Sequence, residues 1–149
     1  RIVFRYADVL LERAEAFAQL GKTTEAIALV NQIRSRAASS TQMIGNYPSK
    51  YGVKFYCKNY TGSYDKEQAI KIVKMERRLE LAMESERFFD LVRWGEAAQT
   101  LNSYYAAEKT KCTVYGEAEF TADKGEYLPI PFAQVAASNG YYTQNIGNW

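Results

Sequence analysis

Histidine is absent from the 149-residue sequence, and cysteine occurs only twice, at Cys57 and Cys112. Without histidine the chain cannot form a Ser-His-Asp or Cys-His pair, use an imidazole as general base, or build a His-containing zinc site. The two cysteines could form at most one disulfide and cannot complete a four-cysteine metal site. The sequence therefore predicts no metal centre and no cofactor.

Long apolar runs and a strong charge imbalance are also missing. No run approaches the roughly 18 apolar residues that a membrane-spanning helix requires. The 19 Lys and Arg residues against 17 Asp and Glu give a net charge of +2, which predicts no nucleic-acid partner. The segment over residues 1–6 has no initiator methionine, apolar signal core or lipobox cysteine, so we expect the chain to begin within a longer protein.

Apolar residues at helical spacing predict an all-α fold of a single domain over residues 1–149. Helices are expected over about 4–20, 24–37, 66–84 and 87–101, and long irregular loops over about 39–64 and 102–149. Gly21 is expected to end the first helix and to leave a short connection, so the first two helices form an antiparallel hairpin with tetratricopeptide-like spacing. Asp65 and Gln68 form a capping-box signature at the start of the third helix.

Three ordered segments carry a more specific signal. They are Arg5-Tyr6-Ala7-Asp8-Val9-Leu10-Leu11, then Glu76-Arg77-Arg78-Leu79-Glu80-Leu81-Ala82 with Arg93-Trp94-Gly95, and finally Leu128-Pro129-Ile130-Pro131 with Gln144-Asn145. Together they resemble the C-terminal part of SusD/RagB proteins, the glycan-binding lipoproteins of Gram-negative bacteria. One departure lies at Ser85, where the family often has glycine. The corner expected near residues 84–86 must therefore avoid a left-handed conformation or carry strain.

The resemblance implies a tetratricopeptide-like alpha-alpha superhelix that forms the C-terminal segment of a longer protein. It also implies a non-catalytic receptor for oligosaccharides or polysaccharides on the external face of the outer membrane. That receptor would be held by an N-terminal lipid outside this chain and paired with a SusC-like TonB-dependent transporter. The alternative is a helical-repeat module for protein–protein interaction, which the hairpin spacing alone would satisfy.

The densest charge cluster runs from Glu76 to Arg93 and allows two interpretations. Glu76 and Glu80, one helical turn apart, could be a carboxylate pair for glycoside hydrolysis. We favour an ion-pair lattice instead, because glutamates on one helix do not face each other across a sugar ring and arginines are interleaved with them.

The tyrosine-rich segment over 39–64 is the candidate binding region. Sugar rings present apolar faces that stack on aromatic side chains, and amide groups bond to their hydroxyls. The candidate glycan-binding residues are Tyr47, Tyr51, Tyr56, Asn59 and Tyr60. The other interpretation is that these tyrosines pack the loop onto the helices.

Overall fold

The computed structural model describes residues 4–39 and 56–145, whose regular elements are all helices, with no strand among them. The all-α, tetratricopeptide-like fold is thus confirmed. The chain divides into two compact units, Arg1–Arg87 and Phe88–Trp149. The helices in chain order are α1 (Tyr6–Gln19), α2 (Thr23–Ser39), α3 (Lys66–Glu80), α4 (Glu86–Arg93), α5 (Ala97–Glu108) and α6 (Phe132–Ala137), with a 3₁₀ turn at Thr113–Tyr115 before α6.

Helices α1 and α2 form the predicted hairpin. Gly21 adopts a φ of 75°, and the N–H of Lys22 donates to the carbonyl of Phe17 at 2.9 Å, which closes α1 with a Schellman motif. Alanines 14, 18 and 26 are completely buried. Because small side chains let two helix backbones approach closely, these positions explain the tight hairpin.

Helix α3 packs against both members of the hairpin. Its capping box is present: Gln68 N–H donates to Asp65 Oδ1 at 2.8 Å, and Asp65 N–H donates to Gln68 Oε1 at 3.1 Å. Ala69 and Val73 are fully buried in the three-helix core. Helical spacing predicts a buried apolar stripe on α3 that runs from Ala69 through Met75 and Leu79. Met75 and Leu79 are exposed instead, so the buried face of α3 is rotated from that stripe.

Ion pairs between helices account for that rotation. Glu76 and Glu80 are ion-paired as expected, but not with the arginines interleaved among them: their partners are Arg34 and Arg36 of α2 and Arg5, which precedes α1. Arg5 donates to Glu80 at 2.8 Å and holds Glu84 through two 2.7 Å bonds, which raise the pKa of Arg5 above its usual range. Such forked contacts fix a helix crossing geometrically.

Two helix boundaries differ from the prediction. The helix expected over 66–84 ends at Glu80, and the turn that follows holds Met83 and Ser85 at φ values of 67° and 72°. Ser85 therefore adopts the left-handed conformation and carries strain. The helix expected over 87–101 is two helices, because Gly95 at φ 69° ends α4, and α5 then runs past the expected end at 101.

Side-chain amides organise the second unit. Asn102 on α5 donates to the carbonyl of Phe120 at 2.9 Å and accepts from its N–H at 2.7 Å. Gln144 makes the same pair of bonds to the backbone of Ile130, at 2.9 and 2.7 Å. The region expected to be loop, 102–149, thus contains the end of α5, the 3₁₀ turn and α6, with its extended parts held by amides. Among the helices described here, none is long and apolar enough to cross a membrane.

Candidate functional site

A groove lies between the first half of α2 and the segment over residues 60–64. Its volume is about 380 Å³, which falls within the range of roughly 300–1,000 Å³ typical of small-molecule sites. It is lined by Thr23, Thr24, Ile27, Ala28, Asn31, Tyr60, Thr61, Gly62, Ser63 and Tyr64. All ten residues belong to the first unit.

Two tyrosines form the aromatic part of the groove. The rings of Tyr60 and Tyr64 meet edge to face, with centroids 6.0 Å apart and an interplanar angle of 87°. Gly62 lies between them and donates its N–H to the Tyr64 hydroxyl at 3.3 Å. A Cβ at Gly62 would lie 3.2 Å from the Tyr64 ring, so glycine leaves room for this ring position.

The polar face of α2 holds the segment that enters the groove. Asn31 donates to the carbonyl of Tyr60 at 2.9 Å and accepts from the Tyr60 N–H at 2.8 Å. One turn later, Ser35 is paired with the side-chain amide of Asn59 at 3.0 and 3.2 Å. Residues three and four positions apart lie on one helix face. Asn31, Arg34 and Ser35 therefore all reach the same stretch of chain, and they bond to the three consecutive residues 58–60.

Arg34 links the groove to α3. It donates to the carbonyl of Lys58 at 2.6 Å and to Glu76 at 2.8 Å, and its guanidinium carbon lies 4.9 Å from the centroid of the Tyr60 ring. Burial lowers the pKa of Arg34, but the hydrogen bond and charge of Glu76 outweigh burial and leave the pKa raised. The guanidinium therefore stays charged over one face of Tyr60, a favourable cation–π arrangement.

The predicted site residues separate into three groups. Tyr60 lines the groove, whereas Asn59 bonds to Ser35 and Tyr56 is 83% exposed, and neither is among the lining residues. Tyr47 and Tyr51 lie outside the described residues. Glycan contacts by all five predicted residues stay predictions.

Asn31 and Tyr64 line the groove but are not among the predicted site residues. Tyr64 could have been found because it lies four residues after Tyr60 in the same tyrosine-rich segment. Asn31 could have been found from the polar set at positions 31, 34 and 35, which interrupts the apolar pattern of α2. No sequence signal connects that set to residues 58–60, because the contact crosses a long loop.

The lining favours an uncharged, hydroxyl-rich ligand. Six side chains present hydroxyl groups, the amide of Asn31 is bonded to the Tyr60 backbone, and none of the ten described lining residues is Asp, Glu, Lys or Arg. Hydroxyl groups both donate and accept hydrogen bonds, which matches the alternating donors and acceptors of a sugar. The aromatic rings add a surface for apolar C–H groups.

The carboxylates considered for hydrolysis are engaged elsewhere. Glu76 bonds to Arg34, and Glu80 bonds to Arg5 and Arg36 at 2.7–2.8 Å. Both are held on α3 by arginines from other parts of the first unit. Among the described residues, no three His, Cys, Asp or Glu side chains gather in an arrangement that could hold a metal ion.

Comparison with known proteins identifies the family to which this sequence belongs. The sequence model of the SusD family matches residues 1–149. The SusD-like protein P38 of Formosa agariphila is 41% identical over 100 residues, which cover 67% of this chain and 18% of that protein. The SusD-like protein P25 of the same organism is 28% identical over 145 residues, which cover 95% of this chain and 25% of that protein. The chain spans about a fifth to a quarter of the length of these curated relatives. Because the family model matches all 149 residues, the chain belongs to the SusD family.

Proposed function

We propose that this chain is the C-terminal helical portion of a non-catalytic glycan-binding protein that serves nutrient uptake at the outer membrane. The protein is anchored on the external face by an N-terminal lipid outside this chain and works with a SusC-like TonB-dependent transporter. Family membership over residues 1–149 supports the general role. The observation that carries the site is the groove with six hydroxyl side chains, two of which are Tyr60 and Tyr64.

The ligand class follows from the charge of the groove. A uronate or sulfated sugar would need a compensating cation, and none of the described lining side chains is basic. Glu25 in the first turn of α2 offsets the positive end of that helix. We therefore assign a neutral sugar unit to the groove, with the tyrosines contacting its C–H groups and Thr and Ser bonding to its hydroxyls.

Calorimetry of the full-length natural protein tests this assignment. The probes are maltohexaose, cellohexaose, xylohexaose and mannohexaose, with polygalacturonate as the charged comparison. We expect one neutral probe to bind, and Tyr64→Ala to weaken that binding by about tenfold, as expected for loss of an aromatic contact of about 1–1.5 kcal/mol. Tyr127→Ala is the matched control, since Tyr127 is half exposed and belongs to the second unit.

Two results would contradict the proposal. Equal losses of affinity in Tyr64→Ala and Tyr127→Ala would show that the ligand does not bind in the groove. Preferred binding of polygalacturonate would refute the assignment to a neutral sugar.

The transporter partnership has its own test. When the full-length protein carries a purification tag and is extracted from membranes with a mild detergent, a TonB-dependent transporter should co-purify with it. Protease added to intact cells should digest the protein, because the proposal places it on the external face. Recovery of the protein alone, or full protection from protease in intact cells, would contradict this part.

A further inference from the structure

The side chain of Asn31 bonds to the backbone of Tyr60 in the way that a neighbouring β-strand would. Its Nδ2 donates to the carbonyl of Tyr60 at 2.9 Å, and its Oδ1 accepts the Tyr60 N–H at 2.8 Å. One amide thus satisfies both polar backbone groups of a residue that is outside any helix. Only a group with a donor and an acceptor side by side can make this pair of bonds.

The contact is directed at the tyrosine that lines the groove. Arg34 and Ser35 bond to Lys58 and Asn59, so they hold the preceding residues of the segment. Asn31 alone among these three is both bonded to the Tyr60 backbone and part of the groove lining. A backbone held at two points shifts little and carries its ring with it, because each shift must break one or both bonds, each worth about 0.5–1.5 kcal/mol.

We propose that Asn31 is a positioning residue, which sets the location of the Tyr60 ring and thereby the affinity of the groove for its sugar. This inference rests on the proposed function, since it requires Tyr60 to contact ligand. Asn31 acts through Tyr60, so its contribution disappears when the Tyr60 ring is absent. The Tyr60 ring is held between the backbone anchor, the guanidinium of Arg34 and the edge-to-face contact with Tyr64.

The chain contains a chemically matched control for this contact. Asn102 makes the same two bonds to the backbone of Phe120 in the second unit, at 2.9 and 2.7 Å. Asn31→Ala and Asn102→Ala therefore remove the same groups from equivalent contacts. Only the first of them touches the groove.

The experiment is a double-mutant cycle on the full-length protein, with the tightest-binding neutral hexasaccharide of the panel above as probe. Asn31→Ala should weaken binding by about five- to tenfold, the equivalent of roughly 1 kcal/mol for a lost hydrogen-bond pair. Tyr60→Ala should weaken binding at least as much. Adding Asn31→Ala to Tyr60→Ala should change affinity less than twofold, because residues that act as one unit are non-additive.

Three further measurements separate positioning from a general loss of structure. Asn102→Ala should lower thermal stability by about as much as Asn31→Ala and leave the dissociation constant within twofold. Hydrogen exchange of the Tyr60 amide should speed up in Asn31→Ala and not in Asn102→Ala. Asn31→Gln, which keeps the amide on a longer side chain, should recover part of the lost affinity.

The possible failures are distinguishable. If Tyr60→Ala binds as well as the natural protein, the proposed site is wrong, and this inference falls with it. If Tyr60→Ala loses binding and Asn31→Ala does not, only the positioning role is refuted. Additive losses in the double variant would show that Asn31 contacts the sugar directly, which also refutes positioning.

Discussion

Replacing Asp8 by alanine removes one half of the buried ion pair that joins α1 to α3. Asp8 Oδ1 lies 2.8 Å from Arg77 Nη1, and the two side chains are 9% and 2% exposed. Breaking a buried pair from one side leaves the other charge without its partner, which typically costs about 3–5 kcal/mol. Arg77 has interactions besides this pair, so we expect a loss of about 3 kcal/mol, at the lower end of that range.

The double variant Asp8→Ala, Arg77→Met separates lost charge pairing from lost packing. Replacing both ions by uncharged side chains avoids the desolvated charge, and such replacements are often neutral or stabilising. The double variant should therefore regain most of the free energy of unfolding that Asp8→Ala loses. Glu12→Ala is the matched control on the exposed face of α1, with an expected change within about 0.5 kcal/mol.

Urea unfolding followed by circular dichroism measures all four proteins. The midpoint of Asp8→Ala should fall clearly below those of the natural protein and the Glu12→Ala control. A loss below about 1 kcal/mol in Asp8→Ala, comparable to a surface substitution, would refute the claim that this pair locks α1 to α3. A double variant less stable than Asp8→Ala would refute the desolvation argument.

Three more predictions concern the corner and the groove. Ser85→Gly should raise the free energy of unfolding by about 1 kcal/mol in the same urea assay, because glycine adopts the φ of 72° without strain; unchanged or lower stability would contradict this. Gly62→Ala should weaken hexasaccharide binding severalfold in calorimetry while leaving thermal stability nearly unchanged, since its Cβ would displace the Tyr64 ring; unchanged affinity would show that the position of this ring is unimportant. Raising the salt concentration from 50 to 500 mM should change hexasaccharide affinity less than twofold, because no described lining residue is charged, and a steep decline would point to a charged contact.

Local signals in the sequence predicted the end of α1 and the start of α3. Gly21 ends α1 at positive φ, and Asp65 and Gln68 form the expected capping box. These features depend on residues a few positions apart, so a single sequence contains all the required information. The helix boundary at Gly95 carried the same kind of signal and was overlooked within an expected helix over 87–101.

Long-range ion pairs were harder to predict. The buried face of α3 includes Glu76 and Arg77 in place of Met75 and Leu79, because the charged residues find partners on α2 and α1. Hydrophobic periodicity cannot reveal such pairing, which depends on helices distant in sequence. The same limit applies to the groove: the tyrosine-rich segment was recognised, but its attachment through Asn31 depends on a contact 29 positions away.

A crystal structure of the full-length protein with its tightest-binding neutral hexasaccharide tests the central claim most directly. We predict a sugar ring in the groove between α2 and residues 60–64, in contact with Tyr60 or Tyr64 and bonded to the surrounding hydroxyl groups. A fully occupied sugar bound elsewhere, with this groove empty, would contradict it.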